Sequence, residues 1–379
     1  MPTLCAPGNE HLVRINRCGG RISQPFTGEA MCHITGTLGY DRHGCVGYMG
    51  NVGRSEEAAV VRGLIKGTRT WRSIAVILVV ASMSLASGCS ESDQEENVKF
   101  VGSWGTKGNG DGEFLYIEDF AFDADGNLLV TDALRADVQV FGKDGKFVAK
   151  FGGPSMFEKP EGVAVDKQGN IYIGDYLSGN LKKFDRERNH LITFAGLGDG
   201  EGETIEAEFM SIGKNGLVYV SEAGNHRISA FDASGNFKFS FGALGSGPGQ
   251  MNRPEAVKPD SHGHLFVTDF GNDRVQKYTA EGKFISTFGT AGTDPGQFRR
   301  PTGLALDKFD NIYVCDLGNN RVQVFDHDGK FKFSFGGGGS EKRRFGNLHG
   351  IIVDDQGVIY VGDTANNRVQ KFQLLKFGL

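Results

Sequence analysis

One segment of this chain recurs six times. Aligned on a single acidic residue, the copies read LLVTDALRADVQVF from Leu128, IYIGDYLSGNLKKF from Ile171, VYVSEAGNHRISAF from Val218, LFVTDFGNDRVQKY from Leu265, IYVCDLGNNRVQVF from Ile312 and IYVGDTANNRVQKF from Ile359. The aligned acids are Asp132, Asp175, Glu222, Asp269, Asp316 and Asp363, with a first step of 43 residues and then steps of 47. A fixed period in this range marks a repeat architecture, in which units bury their apolar faces against one another. Within a unit, four short runs rich in Val, Ile, Phe and Tyr alternate with turn residues. In the fifth unit the runs are GLALD, IYVCD, RVQVFD and FKFSFG. Such runs are too short for helices and read as strands. Their Asp-Gly, Gly-Asn and Asn-Asn connectors tolerate positive φ and suit tight hairpins, which accounts for a chain with 57 glycines. Six units of four antiparallel strands predict an all-β fold, a six-bladed β-propeller.

The fourth strand ends in an aromatic and a small residue: Trp104-Gly105, Phe151-Gly152, Phe194-Ala195, Phe241-Gly242, Phe288-Gly289 and Phe335-Gly336. Trp104 has no blade before it, and the sixth blade stops after Phe372 with little chain to follow. The expectation is that Lys99 to Gly105 supplies the missing outer strand of blade six and closes the ring without a covalent link, leaving no open sheet edge. The tail's own Phe377-Gly378 lies too close to Phe372 to compete well.

Residues 1–98 do not share the period. Lys66, Arg69 and Arg72 precede the apolar run Ile74 to Leu85, and Ala86-Ser87-Gly88-Cys89 follows it. Basic, short apolar and small-residue stretches in that order read as a secretory signal, and the apolar run is too short to span a bilayer comfortably. The Cys after Ala-Ser-Gly resembles the lipobox of bacterial lipoproteins, although Leu85 stands one place further out than the usual Leu. The resemblance implies lipidation at Cys89, and Ser90 in the next position implies release to the outer membrane or a periplasm-facing location in the bacterial cell envelope. The expected organisation is a non-structured or mis-annotated extension over 1–65, a lipoprotein signal peptide over 66–88, a polar tether over 89–98 and the propeller over 99–379. Cys5, Cys18, Cys32 and Cys45 form no Cys-x-x-Cys pair, so a zinc reading has little support. A translation start downstream, for instance at Met49, is expected. A net charge of −5 and the export signal argue against a nucleic-acid partner.

Residues 99–372 resemble tandem NHL repeats. The resemblance rests on Pro160-Glu161-Gly162 and Pro301-Thr302-Gly303, on the Tyr-Val-x-Asp second strand, and on Asn225, Asn272, Asn319 and Asn366 with Arg227, Arg274, Arg321 and Arg368. It implies a six-bladed propeller used mostly as a binding platform, occasionally as a lyase or sensor domain. Fold does not decide between these. Blades one and two depart from the pattern, with Arg135 and Asp137, then Ser178 and Asn180, where the others have Asn and Arg. The face above them is expected to differ in shape and charge.

Two constellations stand out. An Asp–Arg pair in each D-x-x-N-x-R hairpin is expected to brace the turn. Ten residues before each second strand stand Glu118, Glu161, Glu208, Glu255, Thr302 and His349. The first strand of a blade lines the axial channel, so these six are expected to ring one channel mouth, with Asp119 as a further acid. Converging carboxylates need cations, partner residues or protons. The ring is therefore a candidate site for Ca²⁺, another divalent cation or a basic ligand, with Glu161, Glu255 and His349 as candidate metal ligands. Pairing with Arg253, Arg299 or Arg300 is the structural alternative, and those arginines with Arg343 and Arg344 would make a basic rim. Zinc lyase chemistry would need several His, and only His349 is on the ring. Cys315 reads as core filler. The preferred reading is a lipid-anchored, non-catalytic binding scaffold for a protein, peptide or glycan, held to the membrane by its anchor. The alternative is a divalent-metal lyase or lactonase-type hydrolase at the same mouth.

Overall fold

The computed structural model describes residues 97–375 and, in a separate upstream unit, the antiparallel pair Gly39–Tyr40 and Val46–Gly47. The leader, Cys89, the four spaced cysteines and Phe377-Gly378 lie outside the described residues. Six four-stranded antiparallel sheets stand in sequence order as the blades of a ring. Their inner strands are Ile117–Phe122, Pro160–Val165, Ala207–Ile212, Pro254–Pro259, Pro301–Leu306 and Leu348–Val353. The second strands, from Leu128–Asp132 to Val358–Asp363, are buried at every residue. Outer strands are less buried, and Phe147–Gly152 and Phe237–Phe241 alternate between half-buried and exposed positions. A strand covered on both faces reads as a continuous apolar run, and an edge strand as an alternation.

The ring closes through the N-terminal segment. Val98–Trp104 pairs antiparallel with Arg368–Leu374, setting Trp104 opposite Val369 and Phe100 opposite Phe372. The Phe100 and Phe372 rings meet edge-on at 5.7 Å. Trp104 also crosses to blade one, 5.9 Å from Phe141. The seam between blades six and one is packed like the others, by Phe114, Phe120, Phe141, Tyr360 and Val369.

Each inner strand departs from its ladder at one place. Two residues fall out of register between Ile117 and Phe120, Pro160 and Val163, Ala207 and Met210, Pro254 and Val257, Pro301 and Leu304, and Leu348 and Ile351. The first of the two is in every case a ring residue. A bulge kinks a strand and re-aims a side chain, here at the start of each channel-lining strand. The second is often Gly for a steric reason. A Cβ on Gly303 or Gly350 would sit 2.1 or 2.2 Å from the carbonyl oxygen of His349 or Glu118 in the next blade. Successive inner strands therefore abut at the ring, which explains the Pro-x-Gly start of the repeat.

Candidate functional site

The repeat motif holds the loops that deliver the ring. In blade four, buried Asp269 accepts hydrogen bonds from the Asn252 N–H at 2.7 Å, Arg274 Nε at 2.8 Å and Gln276 Nε2 at 3.0 Å. Arg274 also donates to the carbonyls of Ser246, Gly247 and Gln250, in the loop that leads into the blade. Arg321 and Arg368 repeat the arrangement with Asp316 and Asp363. The pair braces the turn as expected, and it also pins the approach loop. Blade one reaches the same end by a swap: Arg135 pairs with Asp137 and donates to Gly110 O and Glu113 O. Blade two has no such Arg, and Lys182 stands 3.8 Å from Asp175. Arg321→Ala removes donors from a buried carboxylate and from loop carbonyls. It is expected to cost about 3 kcal/mol, read as a fall of several degrees in thermal unfolding, and Arg321→Lys is expected not to restore it.

All six ring residues are buried. Glu118, Glu161, Glu208 and Glu255 come close enough for their charges to act on one another. Burial, then Glu161 and Glu255, then a hydrogen bond with Glu161 push the Glu208 carboxyl well above the usual range. His349 Nδ1 is 3.0 Å from Glu118 Oε2, and His349 Nε2 is 3.3 Å from the Tyr116 hydroxyl. Thr302 stands apart chemically; its hydroxyl turns to Leu348 O at 3.2 Å.

A second ring, two residues before the first, was not singled out from sequence: Tyr116, Lys159, Glu206, Arg253, Arg300 and Asn347. Lys159 pairs with Glu161 and places its ammonium 3.8 Å from the centre of the Tyr176 ring. Burial opposes the Lys159 charge, but Glu161, then Glu118 and Glu208, hold its pKa above the ordinary value. Arg253 binds Glu206 at 2.6 Å and comes within 4.0 Å of Glu208. Glu206, Arg253, Arg300 and Asn347 all have φ between 54° and 60°, the left-handed region uncommon for such residues. Strained backbone of this kind concentrates at functional sites.

Several expectations need correction. Asp119 is not in the mouth ring. It accepts from the Val163 N–H at 3.2 Å and faces Lys258 Nζ at 3.5 Å, from the opposite side of the propeller. Burial raises its pKa, and Lys258 partly offsets that. Arg299 and Arg300 do not neutralise the ring. Arg299 packs against Gly318, and Arg300 lies over Phe270 with its N–H on Asp273. Arg253 turns inward, so the basic rim is incomplete. Among the described residues no group of three or more His, Cys, Asp or Glu is placed to hold a metal ion. Cys315 is buried, and burial pushes its thiol up.

The NHL repeat model matches residues 298–325 and 345–372. The chain carries NHL repeats on a six-bladed β-propeller. No curated protein matches the sequence. Among solved structures, a streptogramin B lyase has TM-score 0.54 at 13% identity, covering 73% of this chain and 98% of its own. An auxiliary nutrient binding protein from Bacteroides thetaiotaomicron has TM-score 0.57 at 12%, covering 74% and 76%. A gluconolactonase from Xanthomonas campestris has TM-score 0.53 at 13%, covering 69% and 86%. Identities this low show the shared fold alone, which serves binding proteins and enzymes alike.

The displaced Glu208 carboxyl gives the NHL propeller a pH signature. Its folded pKa is raised, so wild-type stability falls as pH rises from the unfolded carboxyl value through the folded one. Glu208→Gln removes that loss. It is expected to stabilise the protein above neutral pH by about 1.4 kcal/mol per unit of upward shift, with the gain vanishing near pH 4. Melting temperatures of both proteins between pH 4 and 8 check this; parallel curves would contradict it.

Proposed function

We propose that this NHL propeller is a non-catalytic binding scaffold whose protein, peptide or glycan ligand sits over the channel mouth. We further propose that it is anchored in the bacterial cell envelope through a lipid on Cys89. The anchoring rests on the leader pattern. The binding reading rests on one observation: four buried carboxylates from four blades converge on the mouth and are met there by Lys159 and Arg253. These cations supply positive charge that converging carboxylates need, and their long side chains can move aside for a ligand. Elemental mass spectrometry on the purified chain is expected to find no stoichiometric divalent ion. One ion per chain, lost in a Glu161→Ala, Glu255→Ala, His349→Ala variant, would overturn this reading in favour of a metalloenzyme.

One observation favours the enzymatic alternative. Glu118, His349 and Tyr116 form a chain of carboxylate, imidazole and phenol that reaches the mouth. Such a chain can move a proton to or from a bound substrate. Lyase or lactonase turnover lost in Tyr116→Phe and His349→Ala would support it.

A further inference from the structure

Among the described residues, most of the large apolar side chains exposed on loops lie on one face. Leu134 is 63% exposed, Leu177 52%, Leu197 62% and Leu244 63%, and with Met156 they all stand on mouth-face loops of blades one to four. Among the described residues the opposite face exposes Phe309 and Leu375. The repeat alignment shows why part of this crescent is local. Leu134 and Leu177 occupy the position held by Gly224, Gly271, Gly318 and Ala365 in the other blades. At Gly224, Gly271 and Gly318 a Cβ would come within 2.4, 2.5 and 2.4 Å of Ile205, Asn252 and Arg299, so the approach loop presses on that turn and admits no side chain. Blades one and two carry a Leu there instead, and each Leu projects into solvent. Clustered exposed Leu is not a packing need of the fold and marks an interaction surface.

The crescent runs into the charged pit. Tyr176, which carries the Lys159 ammonium on its ring, immediately precedes Leu177. In the pit Glu118, Glu161, Glu206, Glu208 and Glu255 outnumber Lys159 and Arg253, so the mouth stays acidic even with a proton on one carboxyl. An acidic pit bordered by an apolar crescent is complementary to a chain segment with a basic side chain beside apolar ones. We propose that the mouth face docks such a basic–apolar segment of a partner protein. A Lys or Arg enters the pit, and its apolar neighbours cover Leu134, Leu177 and Leu197. This rests on the reading of the mouth as the ligand site.

The test selects a library of random short peptides on the purified chain. Enriched peptides are expected to carry Lys or Arg within a few residues of large apolar side chains. Glu161→Gln with Glu255→Gln should weaken the best peptide about tenfold or more, and Leu134→Ser with Leu177→Ser about threefold or more. Leu191→Ser, on the outer strand of blade two, should bind like the parent. If the glutamine variant does not fold, raising ionic strength on the parent gives the same information, because a charge-steered contact weakens with salt. No enrichment, enriched peptides without excess basic residues, or unchanged binding in the serine variant overturns the proposal. Neutral or acidic peptides, or glycans from an array, that depend on the glutamine variant would overturn it while leaving the mouth as the ligand site. Binding indifferent to both sets of variants would overturn both readings.

Discussion

Deletion of Val98–Trp104 is expected to unfold the propeller and not merely to trim it. The segment buries Val98 and packs Phe100 and Trp104 against Phe372, Phe141 and Tyr360. At about 1.5–3 kcal/mol for each such side chain, the apolar loss alone comes to roughly 6 kcal/mol. A domain of this kind has only about 5–15 kcal/mol of stability to lose. The deletion also bares the ladder of Arg368–Leu374, and an open edge of apolar sequence invites association. The expected result is a chain that elutes as aggregate and shows no cooperative melt. A monomeric variant melting within about 5 °C of the parent would mean that the strand is an accessory.

Lys258→Met is expected to have the second-largest effect. Lys258 in blade four faces Asp119 in blade one and also donates to Met210 O at 3.3 Å. Asp119 is fully buried, so removing the ammonium leaves a buried carboxylate without its opposite charge. Breaking a buried pair in this way costs about 3–5 kcal/mol. The pH dependence gives the mechanism. Asp119 has a raised pKa even with Lys258 present, and Lys258 is what lowers it, so the variant's carboxyl should rise further. A raised folded-state carboxyl destabilises as pH rises through it, so the deficit should be largest at neutral pH and shrink toward pH 4. Adding Asp119→Asn should recover most of the loss. Equal deficits at pH 4.5 and 7.5, or no recovery in the double variant, would rule out this account of the pair.

The fold was legible because the repeat compares the sequence with itself. Six aligned acids set the blade count, and the stranded aromatic at Trp104 set the closure. The ring of Glu118, Glu161, Glu208, Glu255, Thr302 and His349 was legible for the same reason, as one offset from a periodic landmark. What surrounds it was not. Lys159, Arg253 and Tyr176 act through side-chain length and direction: Arg253 and Arg300 share the same left-handed backbone, yet Arg253 reaches Glu206 and Glu208 while Arg300 lies over Phe270. The same alignment, moved two residues, would have revealed the second ring. Asp119 shows the opposite failure. It is adjacent to Glu118, but the bulge sends neighbouring side chains to different places, one to the mouth and one to Lys258. Thr302 occupies a ring position, yet its short side chain spends its hydrogen bond on a neighbouring carbonyl.

The seam between the first and last blades sets a clock for assembly. Val98–Trp104 emerges from the ribosome before any other part of the propeller, yet its partner, Arg368–Leu374, comes almost at the end of the chain. At about 5–20 residues per second the early strand waits roughly ten seconds to a minute for it. Throughout that interval Phe100 and Trp104 lack their partner strand and need shielding. The pit is equally late, because the contact of His349 with Glu118 joins blade six to blade one. A chain cut short by even one blade would therefore lack both its latch and a complete mouth, so that only finished molecules carry the assembled pit.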